Sequence, residues 1–295
     1  MSSRFTAAML AVGIAFPAIP ALYEIPVLGP VITQAYNGLP ANIQSQIPGN
    51  IRAQLVPGTT GQAGVVNTVN TVNTANAQAQ LDALIRDVQG RHQGRATVAV
   101  AGDGVQFTAG DNRAEPAFST MKVPVAIGAL RKSPASYLDA EIAITRSDNP
   151  AAHRMFAQVS GVELNGIIAE AGSRTTTSAG YQMGTMWTTS DQAAFASGLR
   201  CVNGHEPVLG MMGRVVDYQR WGLGRIPGAK FKGGWNDHEN GHLARQFGLI
   251  PGPNGDIAVA ITAHSPVGYQ ESFAMLNELA DGVARISGTL PTSRC

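Results

Sequence analysis

Ser119-Thr120-Met121-Lys122 places a hydroxyl three residues before an ammonium, at the mouth of the apolar run Val123-Pro124-Val125-Ala126-Ile127-Gly128-Ala129-Leu130. On a helix, positions i and i+3 share a face, so the two groups would lie side by side as a nucleophile and its base. Pro116 and Ser119 act as helix-start signals, and Val123, Ile127 and Leu130 recur at helical spacing. At a helix N-terminus the aligned peptide dipoles favour developing negative charge, and free N–H groups can hold an oxyanion, which suits acyl transfer. Taken alone, a Ser-x-x-Lys string is more often a helix cap followed by a solvated lysine.

The elements that must position Ser119 begin upstream, where Leu81, Leu84, Ile85 and Val88 recur at helical spacing and stop at Gly90. The period then changes: Ala96 to Ala101 and Val105 to Thr108 flank Gly102-Asp103-Gly104, which reads as a hairpin. After the Ser119 helix comes a loop at Ser133-Pro134. The segment Leu138 to Ile144 leads into Ser147-Asp148-Asn149-Pro150, a turn that starts a helix reaching about Ser160. Val162 to Ala171 is a further helix ending at Gly172, and Thr188-Thr189-Ser190-Asp191 caps another toward Leu199. His242 to Ile250 and Ile257 to His264 read as strands around the turn Pro251 to Gly255, and Ser272 to Ile286 as a closing amphipathic helix. Strands from both ends with helices inserted between them predict an α+β domain: an antiparallel sheet flanked by helices.

The chain has 295 residues, 44% hydrophobic and only 14% charged, enough for a sizeable core. A formal charge of +1 without any Lys/Arg cluster argues against nucleic acid and against a polybasic membrane patch, leaving a small molecule or neutral polymer as partner. Residues 1–35 read as a signal peptide or N-terminal anchor, because Ala7 to Phe16 is an apolar run of ten and Glu24 is the only charge between Arg4 and Arg52. Residues 36–80 read as a low-complexity flexible linker, in which Val66-Asn67-Thr68 repeats at Val69 and Val72 with too little apolar mass to offset ordering. The folded domain is expected over 81–290. Cys201 and Cys295, the only cysteines, fit a disulfide in an oxidising compartment, with two unrelated thiols as the alternative. No Cys/His spacing suggests a metal site, and no cofactor is implied.

Ser119-Thr120-Met121-Lys122, Ser147-Asp148-Asn149 and Lys232-Gly233-Gly234 occur in that order. Together they resemble the Ser-x-x-Lys, Ser-Asp-Asn and Lys-Thr-Gly set of class A β-lactamases and penicillin-binding proteins. The resemblance covers about Leu81 to Leu290 and implies a β-lactamase/transpeptidase-like fold. Position by position, it makes Ser119 the acylated nucleophile, Lys122 the residue that takes its proton and Ser147 the shuttle to the leaving nitrogen. Asn149 would bond a substrate amide, and Lys232 would attract a substrate carboxylate with Arg245 as a second anion contact. The oxyanion hole would combine the Ser119 N–H with one near Gly234 or Trp235, although Trp235 reads equally well as core.

Three departures shape the expected activity. Gly233 lacks the hydroxyl of Lys-Thr-Gly. Ser147 follows Ser119 at a much shorter spacing than in class A enzymes, which implies a trimmed helical subdomain. The stretch Gly172 to Trp187 carries no carboxylate where a class A enzyme has Glu-x-x-Leu-Asn to activate the deacylating water, and Glu163-Leu164-Asn165 lies too early and reads as surface helix. These features predict an exported serine hydrolase acting on β-lactam or peptidoglycan-type substrates, with acylation machinery and slow or absent turnover. The alternative is a non-catalytic envelope-binding module on the same fold.

Overall fold

The computed structural model describes residues 28–39, 44, 55, 60–102, 104–180 and 184–295. It divides into two units at Val72/Asn73, each described by itself. The apolar run Ala7–Phe16 lies outside the described residues. In the first unit, helix α1 (Leu28–Asn37) buries Tyr36, and the Thr33 hydroxyl donates to the Leu55 carbonyl. Among the described residues no helix is long and apolar enough to cross a membrane.

The second unit is built on an antiparallel sheet of order β2-β1-β7-β6-β5, comprising β1 (Arg95–Ala101), β2 (Gln106–Gly110), β5 (Lys230–His238), β6 (Gly241–Gly252) and β7 (Gly255–Ser265). The N-terminal hairpin therefore joins the C-terminal meander through β1 and β7. Successive strand residues point to opposite faces, and the two cores divide accordingly. Val98, Val259, Ile261 and Phe231 pack with Ala77, Leu81, Ile85 and Val88 of helix α2 (Thr60–Arg91) and with helix α9 (Tyr269–Arg285) on one face. Phe247, Leu249, Ala258 and Ala260 pack with Met121, Ile127, Ile144, Met155 and Leu164 on the other. The α+β expectation holds as a three-layer arrangement.

The helical layer contains α3 (Lys122–Lys132), α4 (Tyr137–Thr145), α5 (Asn149–Phe156), α6 (Gly161–Glu170), α7 (Thr189–Ser197) and α8 (Glu206–Met212). A two-stranded ribbon of β3 (Glu115–Pro116) and β4 (Met186–Trp187) accompanies it. Every residue of α3 from Lys122 to Ala129 is buried, so this helix is the layer's axis and not an amphipathic surface element. Gly128 allows close approach of the α5–α6 connection and of α6 itself, because a Cβ there would lie 2.8 Å from Val159 Cγ1 and 3.2 Å from Ile167 Cδ1.

Two boundaries differ from the sequence reading. The Val-Asn-Thr repeats lie inside α2, and Ala77, upstream of Leu81, is already buried, with Gln78 Nε2 donating to the Thr108 carbonyl. A helix nucleated by the docked Leu81–Val88 face gains one hydrogen bond per added residue, so it propagates upstream through indifferent sequence. At the other end the strands β6 and β7 run past Pro251 to a tight Pro253-Asn254 turn, with Gly252 opposite Gly255 and Gly255 at φ +134. The structure joins Cys201 to Cys295 at a Cα–Cα distance of 5.6 Å.

Candidate active site

Ser119 sits in a short 3-10 turn, Phe118–Met121, that runs directly into α3. Side chains at i and i+3 eclipse in such a turn, and the Lys122 N–H donates to the Ser119 carbonyl. Phe118 adopts φ +47, a left-handed conformation that a bulky residue seldom takes. This kink turns the chain out of β3 immediately before Ser119, which is partly exposed while Phe118 and Thr120 on either side are buried.

The Ser147-Asp148-Asn149 string reaches Lys122 from the start of α5. Ser147 is itself left-handed, φ +57, and Asp148 caps the helix by accepting from the Ala151 N–H at 2.8 Å. The third string lies on β5, the edge strand of the sheet. Gly234 passes so close to the nucleophile that a Cβ there would lie 2.8 Å from the Ser119 nitrogen and 2.9 Å from Phe118 Cβ. Glycine at 234 is thus a condition for bringing the strand's backbone against the Ser119 N–H, the pairing that an oxyanion hole requires.

Lys122, Ser147, Asn149 and Lys232 form one hydrogen-bonded network. Lys122 Nζ donates to the Ser147 carbonyl at 2.5 Å, to Asn149 Oδ1 at 2.7 Å and meets Ser147 Oγ at 3.1 Å. Lys232 Nζ meets the same Ser147 Oγ at 3.0 Å and donates to the Gly233 carbonyl at 2.8 Å. Both lysines are wholly buried. Burial pushes the Lys122 ammonium down to about 7, against a smaller upward pull from Asp148. Burial also holds Lys232 well below the usual lysine range, and the neighbouring Lys122 charge adds to the effect. Lys122 therefore gives up its proton far more readily than an exposed lysine. When neutral, it can accept a proton while the Ser147 hydroxyl stands between the two amines as a relay.

Other expected site residues fall elsewhere. Arg245 is not an anion contact: it is fully buried, and its donors go to Gln192 Oε1 and to the carbonyls of Glu115, Pro116 and Trp187. The sheet register explains this, because Arg245 stands opposite Gly234 and Thr262 on the face under the helical layer. Trp235 is half-buried, edge-on to Trp221 at 5.5 Å and to Phe273 at 6.3 Å. The Asn149 carbonyl oxygen is engaged by Lys122. At Gly233 the space for a side chain is narrowed by Trp221, whose Cη2 would lie 3.1 Å from a Cβ there. No local sequence signal marks Trp221 for this place.

The loop from Gly172 to Trp187 packs beside the nucleophile's strand, where the Ala117 N–H donates to the Thr185 carbonyl at 2.8 Å. Among its described residues, the bonded polar groups hold the loop itself. The Thr185 hydroxyl accepts from the Ala179 N–H and donates to the Gly180 carbonyl, and Asn165 Oδ1 accepts from the Ser178 N–H. Asp191 accepts from the Ser173 hydroxyl and from the N–H groups of Arg174 and Thr175. Burial opposes the Asp191 charge, but these bonds and one from Thr176 outweigh it and lower the carboxyl pKa. Glu163 completes a capping box with Ser160 and pairs with Lys132 at 2.9 Å, bonds that draw it down to about 2. It caps a surface helix. Among the described residues no group of three or more His, Cys, Asp and Glu could hold a metal ion.

The sequence matches no protein-family model and no curated protein. Its fold does match solved structures. A class A β-lactamase from Bacteroides cellulosilyticus DSM 14838 is 14% identical with a TM-score of 0.62, covering 71% of this chain and 97% of its own. A β-lactamase from Streptosporangium roseum is 14% identical with a TM-score of 0.59, covering 72% and 100%. One from Sphaerobacter thermophilus DSM 20745 is 18% identical with a TM-score of 0.57, covering 72% and 98%. At such identities the likeness is one of architecture, and it makes the fold of this chain β-lactamase-like.

Proposed function

We propose that this chain is an exported serine hydrolase in which Ser119 is acylated by a β-lactam or by a cell-wall-type amide or ester and the acyl-enzyme is released slowly. The observation that carries the reading is Lys122: a buried amine with its pKa drawn to about 7, one helical turn from Ser119 and bonded to Ser147. In the acylation step neutral Lys122 takes the Ser119 proton as Oγ attacks the carbonyl carbon. The new C–O bond forms, and the oxyanion is held by the Ser119 N–H and the β5 backbone. The C–N or C–O bond then breaks, and Lys122 returns the proton through the Ser147 hydroxyl to the leaving atom, so that the amine ends neutral. Lys232, donating to Ser147, favours the relay by stabilising negative charge on its oxygen.

Hydrolysis of the ester needs a base for water, a contribution of about 10²–10⁴-fold. The Gly172–Trp187 loop offers no carboxylate, and Glu163 is committed to Lys132 and Ser160 at the surface. The Cys201–Cys295 disulfide supports an oxidising, extracytoplasmic setting. Intact-mass measurement after mixing with a reporter penicillin tests the reading. The expected result is a single adduct that maps to Ser119 and persists for hours. Rapid multiple turnover would refute slow release, and a folded protein without any adduct would favour a non-catalytic envelope-binding module.

A further inference from the structure

Arg245 is a cation in the middle of a sheet with no solvent exposure, which is costly unless the charge does something that a hydrophobic residue could not. Its guanidinium has five N–H donors in a rigid fork. Nη1 donates to the Glu115 carbonyl at 2.9 Å and the Pro116 carbonyl at 3.2 Å, Nη2 to the Trp187 carbonyl at 2.9 Å, and Nε to Gln192 Oε1 at 3.1 Å. The first three grip both strands of the β3–β4 ribbon on the N-terminal side of Phe118. The fourth continues: Gln192 Nε2 donates to Thr120 Oγ1 at 2.9 Å, and the Thr120 hydroxyl donates to the Ala117 carbonyl. Gln192 and Thr120 are themselves fully buried.

The chain Arg245–Gln192–Thr120–Ala117 closes a ring around Phe118-Ser119, with anchors at Glu115, Pro116 and Ala117 before the nucleophile and Thr120 after it. Inside that ring lies Phe118 at φ +47. A non-glycine residue in that region persists only where its surroundings over-determine it. The row Gly234, Arg245, Thr262 runs across three strands, and Thr262 bonds Thr189 at the start of α7, the helix that carries Gln192. One guanidinium thus references the Ser119 turn to the sheet and to α7 at once.

We propose that Arg245 is a positioning residue for Ser119: through the ribbon carbonyls on one side and Gln192–Thr120 on the other, it holds the Phe118 turn that aims the hydroxyl and the Ser119 N–H. Arginine suits the task because its bonds fix both direction and plane, which a lysine's single ammonium does not. Displacing a reacting group by about 1 Å can cost about 10²-fold in rate. The inference rests on the acyl-transfer reading for its kinetic consequence, though not for its structural one.

The test uses the full chain carrying Arg245→Met, Arg245→Lys, Gln192→Met or Thr120→Val, followed in two ways. First, the rate of adduct formation with a reporter penicillin is measured against reagent concentration. Gln192→Met and Arg245→Met should lower the limiting rate by about 10- to 100-fold while leaving the half-saturating concentration within about twofold, and Arg245→Lys should fall between Arg245→Met and the parent. Second, peptide-level hydrogen exchange should show residues 115–121 exchanging at least about tenfold faster in Gln192→Met, with the β6–β7 peptides unchanged. Variants that melt earlier yet acylate at the parent limiting rate, with unchanged exchange at 115–121, would reduce Arg245 to a packing role and overturn the proposal. If Arg245→Met does not fold, Gln192→Met and Thr120→Val still break the same ring. A parent protein that forms no adduct refutes the acyl-transfer reading, and the exchange result then decides the Arg245 proposal by itself.

Discussion

Two regions meet at Ser119, and they spend their polar groups in opposite ways. On the α3–α5–β5 side, Lys122, Ser147 and Lys232 are close enough to pass protons, and burial has brought Lys122 into the range where it changes charge at neutral pH. On the side of the Gly172–Trp187 loop, Thr185, Asn165 and Asp191 are engaged in holding backbone N–H and carbonyl groups. The first region is equipped for chemistry and the second for shape. The difference separates the two halves of a hydrolytic cycle, since attack by a serine and attack by water need different bases.

The sharpest way to break this contrast is to remove the chemistry from the first region. Ser119→Ala should abolish covalent labelling altogether, and Lys122→Ala should slow it by about 10²–10⁴-fold without loss of fold, both read by intact mass. A pH series sharpens it next. With Lys122 near 7, the limiting acylation rate should fall about tenfold per unit below that value and level off above it; a profile flat from pH 5 to 8 would assign the base elsewhere. The second region should respond in stability instead. Asp191→Ala leaves the Arg174 and Thr175 N–H groups without their acceptor and should cost about 1–3 kcal/mol in denaturant unfolding, with proteolysis appearing in 173–187.

The smallest effect lies far from both regions. His92 meets Glu271 at 2.9 Å and Glu278 at 3.0 Å, so its two nitrogens can both donate only as an imidazolium. Burial opposes that charge, but the bonds to Glu278 and Glu271 outweigh it and raise the pKa above 6.5. A raised folded pKa gives stability that is complete below about 6.5 and lost as pH climbs through the higher folded value. The parent should therefore lose a fraction of its stability on that climb, and His92→Gln should not.

Much of the fold was legible because its signals are local. The pairing of β1 with β2, the cap at Thr188 and the amphipathic face of Met275, Leu276, Leu279 and Val283 in α9 each sit within a few turns of sequence. The three polar strings were legible as candidates, and the structure gathers Lys122, Ser147, Asn149 and Lys232 into one network beside Ser119. The place of Arg245 is not legible in the sequence, because most of its partners are backbone carbonyls, which leave no trace in residue type, and because cross-strand register decides which face it enters. The helix α8 escaped notice because Glu206–Met212 is too short for a periodic pattern, and its burial comes from neighbours distant in sequence. Ala77 and the Val-Asn-Thr repeats joined α2 through helix propagation, a cooperative effect that composition does not register.

The pairing of β1 with β7 has a consequence for how the chain comes into being. Residues Arg95–Ala101 find their second partner only at Ala258–His264, across the entire helical layer. During vectorial synthesis the first hairpin is therefore born with one edge of β1 open, presenting Val98 and Val100 in a strand that cannot yet be covered. Such an edge is a template for pairing with any other extended chain, and the long contact range delays its closure. Yield of native protein should thus depend on how long the growing chain is shielded before β7 emerges, more than on the stability of the finished sheet.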